Sequence, residues 1–329
     1  MEKNEFDVVG FGNSVLDIMV NVDDQMLDEF NLIKGNFKLI NDDESKFFNE
    51  FLKDKKVIKS PGGSVSNTIA GVAVLGGKTA YIGGIGDDEY GEFYKKEMLK
   101  LGVTDFFIKK KGALTGQCLT FITTDGERSF AVNLGKSNYI SPNEINYNFK
   151  TKIMHIEGYK LEHEIDFFTA KKLVEYSHMI GAKVSLDVND VGVINRLGEK
   201  LKNFLKDIDI LFMNENEAKA LTGFSDERAL NEMEKSCEIV ILKLGEKGSI
   251  IRANKKNYNI APVFVKNMVN TNGAGDAYQA AFLYGLSKNL DFEKIGKIAS
   301  IFSADIVRRN EARFENLDNL SEEIKGLLH

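Results

Sequence analysis

The densest concentration of chemistry in the sequence is NTNGAGDAYQAAFLYGL, residues 270–286. An apolar run, VFVKNMV at 263–269, leads into a glycine turn and then a helical pattern, so the predicted order is strand, turn, helix start. Gly273, Ala274 and Gly275 carry little or no side chain, so their amides can converge on a phosphate while the helix N-terminus adds positive partial charge. Asp276 stands at that mouth. A carboxylate kept for structure alone would be repelled by bound phosphate, whereas it is well suited to take a proton from an attacking hydroxyl. Its competing role is helix capping, for which aspartate is a common choice.

Two other glycine segments imitate nucleotide motifs and fail. GFGNSV at 10–15 starts like a dinucleotide fingerprint, but Val15 stands where the third glycine belongs and the following residues look extended, which weakens the reading as a nicotinamide-dependent dehydrogenase. VLGGKT at 74–79 has a helix before it and a strand after it, the reverse of a P-loop.

The elements that must position these residues alternate. DVVGFG (7–12) reads as a buried strand, 67–75 as a packed helix, TAYIGGIG (79–86) as a strand and 89–102 as an amphipathic helix closed by glycine. The rhythm returns as IMHIEG, a helix over about 164–180, KVSLDVN, a helix near 195–206, ILFMNENE and IVILKLG. This predicts an α/β fold with a mostly parallel central sheet flanked by helices. Residues 17–40 and 113–135 break the pattern with alternating stretches, TDGE supplying a hairpin turn, and are expected to form a small β lid. The core is then 1–16, 41–112 and 136–329.

Four segments in this order, GGSVSNTIAG (62–71), MNENEAKALTG (213–223), ILKLGEKGS (241–249) and NTNGAGDAY (270–278), resemble the ribokinase and adenosine kinase family, the PfkB-type carbohydrate kinases. The likeness covers nearly the whole chain, and the opening FGNSVLDIMVNVDDQMLDEFNLIKGNFKLIND looks closer to the adenosine-kinase branch. The resemblance implies a ribokinase-like fold and an ATP-dependent kinase acting on a hydroxymethyl group of a sugar or nucleoside, with Mg2+ and with Asp276 as base. Fructokinase- or ribokinase-type activity, or a silent family member, is the alternative.

Carried over residue by residue, the resemblance implies that Asp17 binds acceptor hydroxyls, helped by Asn13, Gly63 and Asn67; capping of the following helix is the alternative for Asn67. Asn214 and Glu217 match an NxxE motif that orders magnesium through water, although by spacing alone they make an ordinary helix N-terminus. Lys243, Gly245 and Gly248 are expected beneath the nucleotide; Arg128 is expected to swing toward phosphates or substrate, with Phe130 and Leu134 as apolar cover. Asp187 and Asn189 match a strand-end Asp-x-Asn that lines the cleft. Two positions depart: Phe37 stands where nucleoside-specific relatives present a glutamine, and Asn270 where relatives that use a monovalent cation carry aspartate, which weakens the case for K+.

The bulk numbers agree with such an enzyme. Of 329 residues, 43% are hydrophobic and 28% charged, enough for a large packed core. A net charge of −6, with acidic and basic residues intermixed, gives no footprint for nucleic acid. The two cysteines, Cys118 and Cys237, suggest neither disulfides nor zinc, and the four histidines follow no metal spacing. No signal peptide or membrane span is expected, which fits a cytoplasmic protein. The expected state is a monomer or a homodimer formed through the lid.

Overall fold

In the computed structural model, residues 4–266, 268–269, 271–309, 312–314, 316 and 320–328 are described. Apolar runs bounded by glycine, asparagine and aspartate build the main sheet. Its nine strands lie in the order Lys256–Ile260, Ser249–Ala253, Ile239–Lys243, Ile210–Asn214, Lys183–Asp187, Phe149–Glu157, Asn4–Phe11, Thr79–Ile82 and Thr104–Asp105. The last seven in that order are parallel, and the first two add antiparallel at the edge. This is the ribokinase-like α/β sheet that the β-α alternation and the family resemblance led us to expect.

Alternation along the strands decides what each face buries. Val8, Ile210, Phe212 and Ile241 pack toward the helices Ser64–Val74, Ala274–Ser287 and Phe292–Val307. Val9, Phe11, Leu211, Met213 and Val240 pack the other way, toward Glu164–Met179 and the shorter helices of the second half. From Asn4–Phe11 the chain first builds outward to Thr79–Ile82, then returns to add Phe149–Glu157 on the opposite side. The strand order thus reverses at Asn4–Phe11, and ligands of open α/β sheets bind at the carboxyl ends beside such a reversal.

A five-stranded sheet stands beside the core in the order Phe37–Leu39, Arg128–Asn133, Gly116–Ile122, Val15–Asn21, Val57–Gly62. Four strands come from the segments read as a lid or their margins; Val57–Gly62 comes from a stretch read as core. One face buries Leu16, Ile18, Leu119 and Phe121 against Leu27, Phe30, Phe48 and Leu52, from a part of the chain that forms the helices Asp24–Glu29 and Asp42–Leu52. Thus 17–40 is not purely β: Asp23 caps a helical turn by accepting the Met26 N–H. The other face carries Asp17, Met19, Ile58, Cys118, Thr120 and Phe130 toward the cleft.

Other local expectations shift. The helix read as 67–75 starts at Ser64, directly after Gly63 at φ 92°. The region near 195–206 forms two short helices, Val191–Leu197 and Glu199–Phe204, broken at Gly198. The apolar run 263–269 is not a strand over its described residues. After the edge strand Lys256–Ile260 the chain reaches Pro262, which lacks an N–H to extend a ladder, and Phe264 is 84% exposed.

Candidate active site

The candidate residues gather along the carboxyl edge of the main sheet. Asn13 follows Asn4–Phe11, while Glu157, Asp187, Asn214 and Lys243 end four successive parallel strands. Opposite them the helix Ala274–Ser287 begins at Gly273, its N-cap, with φ 78°. A Cβ at Gly273 would lie 2.1 Å from the Ala312 carbonyl oxygen, so both sterics and dihedral demand glycine there.

Asp276 does not cap this helix. Its Oδ1 accepts the Ser64 hydroxyl at 2.7 Å and its Oδ2 the Asn67 amide at 2.8 Å, both from the neighbouring helix Ser64–Val74. Burial pushes its pKa up to about 6, the hydrogen bonds from Asn67 and Ser64 oppose the rise, and nearby Asp187 adds to it. The Ser64 hydroxyl also lies 3.2 Å from Asp187, whose Oδ2 accepts the Gln279 amide at 2.8 Å. Asn189, at φ 68°, donates its side-chain amide to Asp187 at 3.2 Å and so serves this carboxylate.

The glycine turn offers fewer amides than its composition suggested. The Ala274 N–H donates to the Thr271 carbonyl at 3.2 Å, so in this state it belongs to the turn. The N–H groups of Gly275 and Asp276 have no backbone acceptor among the described residues. Lys243 supplies a cation at the same place, since a Cβ at Gly275 would lie 3.3 Å from its Nζ. Asn270 lies outside the described residues.

Asn67 is not a cap either; it sits inside its helix, and its Oδ1 accepts the Arg313 guanidinium at 2.5 Å. Asn214 and Glu217 do form a capping box: Asn214 Oδ1 accepts the Asn216 and Glu217 N–H groups, and Glu217 Oε2 accepts the Asn214 N–H at 2.7 Å. Burial pushes the Glu217 carboxyl up to about 7, against the pull of Lys243. Among the described residues no group of three or more His, Cys, Asp or Glu could hold a metal alone. That donor set suits a magnesium carried mainly by substrate phosphates and water.

Two cavities flank the glycine turn. One, of about 540 Å³, is lined by Asn214, Lys243, Gly245, Gly248, Thr271 and Gly275 along with apolar residues of 262–268. The other, of about 530 Å³ beneath the five-stranded sheet, takes Asp17, Arg128, Phe130, Asn272 and Arg313. Burial raises Asp17 to about 6, while the Arg313 charge and the Cys118 thiol pull it down.

Gly63 packs on the Asn13 carbonyl, where a Cβ would come within 2.2 Å, and Asn13 donates its backbone and side-chain N–H groups to Glu157 at 3.0 Å. These two residues shape the turn without lining either cavity. Leu134, 49% exposed, also lines neither, because it follows the end of its strand. Phe37 pairs with Phe130 across the sheet but is 60% exposed.

Sequence reasoning passed over Ser64, Glu157 and Arg313. Ser64 lay inside the quoted GGSVSN, and Glu157, at a strand end, carried the signal that marked Asp187. Arg313 had none: it stands in RRNEARFE, outside every motif, and its neighbour Phe314 stacks on Phe302 at 4.4 Å.

Residues 34–319 match the pfkB family of carbohydrate kinases. The chain is similar to an uncharacterized sugar kinase of Archaeoglobus fulgidus, 31% identical over 249 residues that cover 74% of this chain and 96% of that protein. It is 25% identical to adenosine kinase 2 of Arabidopsis thaliana over 327 residues, 92% and 94% of the two chains. The crystal structure of adenosine kinase from Sinorhizobium meliloti superposes with a TM-score of 0.82 at 28% identity, covering 98% of each chain.

Proposed function

The chain belongs to the pfkB family of carbohydrate kinases, phosphotransferases with an alcohol group as acceptor, and on that premise we propose that it moves the γ-phosphoryl group of ATP to a hydroxymethyl group of a sugar or nucleoside. The observation that carries this reading is Asp276, a carboxylate of raised pKa at the glycine turn that separates a cation-bearing cavity from one containing Asp17.

The acceptor enters beneath the five-stranded sheet, which acts as a lid, and gives its hydroxyl hydrogens to Asp17. The hydroxyl oxygen bonds to the γ-phosphorus as its proton passes to Asp276; the bond to the bridging oxygen breaks, leaving its electrons on ADP. Charge gathering on the transferred group meets the Gly275 and Asp276 N–H groups, the helix N-terminus and the Lys243 ammonium. Asn67 and Ser64 hold the Asp276 carboxylate in position. Magnesium bound to the nucleotide supplies neutralisation of phosphate charge, and Asn214 and Glu217 are the residues that would hold its waters.

Coupled detection of ADP tests this across nucleosides, free pentoses and hexoses, sugar acids and sugar phosphates, each with and without potassium. Acceptor-dependent ADP formation is expected with at least one class. ADP release no faster than the blank with every acceptor refutes it.

A further inference from the structure

The acceptor cavity carries more positive charge than a neutral sugar needs. Four cations line it, Lys59, Lys100, Arg128 and Arg313, against the carboxylates of Asp17 and Glu97. Glu97 is taken by Lys100 at 2.5 Å, which leaves Asp17 facing three cations. Lys59 rests over the Tyr90 ring at 4.6 Å, and neither it nor Arg128 has a carboxylate partner among the described residues.

Arg313 is the telling member. It is 9% exposed, and among the described residues its guanidinium meets neutral groups: Asn67 Oδ1 at 2.5 Å, Ser66 Oγ at 3.4 Å, Met98 Sδ at 3.1 Å and the Tyr94 hydroxyl. Its buried Nε has no partner among the described residues. A guanidinium removed from water is ordinarily matched by an anion in a two-pronged contact, because a buried charge left without one is costly. Asp17 is near enough to feel the charge yet makes no ion pair with it. When the acceptor displaces water from this cavity, the excess positive charge is left without solvent.

Resting on the kinase reading above, we propose that the acceptor is an anionic polyol, a sugar bearing a carboxylate or phosphate group that docks against Arg313, Arg128 and Lys59 while Asp17 takes its hydroxyls. A neutral nucleoside or free sugar leaves those cations unmatched. Carboxylate and phosphate present the same oxygen edge to a guanidinium, so either chemistry fits the site.

The test compares anionic acceptors with their neutral parents under saturating Mg-ATP: aldonic and keto-aldonic acids against free sugars and alditols, and sugar monophosphates against unphosphorylated sugars. The full-length protein is expected to favour one anionic class by about 10- to 100-fold in kcat/KM, the range of a charge-assisted hydrogen bond. That KM should rise with ionic strength while the neutral parent's stays flat. The variant R313Q should lower the anionic-to-neutral ratio at least tenfold, with R313K retaining part of it. A ratio cancels losses from a shifted Asn67 or a weakened fold, which burden both acceptors alike. Should R313Q not fold, the double variant K59Q/R128Q puts the same ratio to the test. Equal or better turnover of neutral acceptors, or a ratio unchanged in these variants, overturns the anionic acceptor while the kinase reading stands; no ADP formation with any acceptor overturns both.

Discussion

Replacing Asp276 by asparagine separates chemistry from structure, because the site's hydrogen bonds can survive the exchange. The asparagine oxygen can accept the Asn67 amide, as Oδ2 does now at 2.8 Å. The new NH2 then faces the Ser64 hydroxyl, which can turn to accept it and donate to Asp187, already 3.2 Å away. Only the proton acceptor is lost, so kcat should fall by roughly 10²–10⁴, the usual worth of a positioned general base. In the wild type, kcat/KM should drop about tenfold per pH unit below a pKa of about 6, and that acidic limb should vanish in the variant. Stability moves the other way. Burial raises this carboxyl from 3.8 to about 6, so the folded state holds its proton more tightly than the unfolded state, and ionising it above pH 6 costs the fold. At about 1.4 kcal/mol per pKa unit the ceiling is ~3 kcal/mol at neutral pH, disappearing near pH 4. Asp276→Asn should therefore melt at or above the wild-type temperature at pH 8, with the gap closing toward pH 4. Initial rates and thermal melts over pH 4–9 decide it. A variant that keeps more than a tenth of wild-type kcat, or one clearly less stable at pH 8 with turnover intact, defeats the assignment of Asp276 as base.

Asp17→Ala should raise acceptor KM at least tenfold and leave nucleotide Kd within about twofold, since Asp17 lines only the cavity beneath the five-stranded sheet; equal losses for both ligands in separate titrations contradict it. Gly273→Ala pushes a methyl group to 2.1 Å from the Ala312 oxygen at φ 78°, so the protein should lose about 1–3 kcal/mol in denaturant melts and bind ATP more weakly; an unchanged midpoint and KM speak against the turn geometry. Glu157 and Glu217, both raised to about 7 by burial, lose stability as they ionise, so the melting temperature at constant ionic strength should climb from pH 8.5 to 6.5. Below that, His155, whose burial lowers it to about 4, works against further gain, because the unfolded chain protonates it first; a melting temperature that falls between pH 8.5 and 6.5 rejects the account.

Short-range order was legible without coordinates because neighbouring residues govern it. Glycine-bounded apolar runs dictate strands such as Ile210–Asn214 and Ile239–Lys243, and small residues before an amphipathic pattern dictate a helix start at 273–274. The resemblance rested on four such local motifs in order, and the family match bears it out. Local reading failed where propensity and pairing disagree. The run 263–269 is apolar enough for a strand, but its described residues have no neighbouring strand to pair with, and Val57–Gly62 joined the second sheet because Val15–Asn21 offered its edge.

What tertiary structure alone decided is which side chains meet. Ser64 and Asn67 reach Asp276 across more than 200 positions, and Arg313 reaches Asn67 across 246. Those meetings follow from strand order: the reversal at Asn4–Phe11 sets the helix after Gly63 beside the helix after Gly273, and no periodicity along the chain encodes that adjacency. The raised pKa values have the same origin. Burial dominates the shifts of Asp17, Glu157, Glu217 and Asp276, and burial belongs to the packed assembly, not to a residue or its neighbours in sequence. The residue types at the glycine turn were thus readable from the sequence, while the burial that raises the Asp276 carboxyl and encloses the Arg313 guanidinium arises only when distant segments exclude water together.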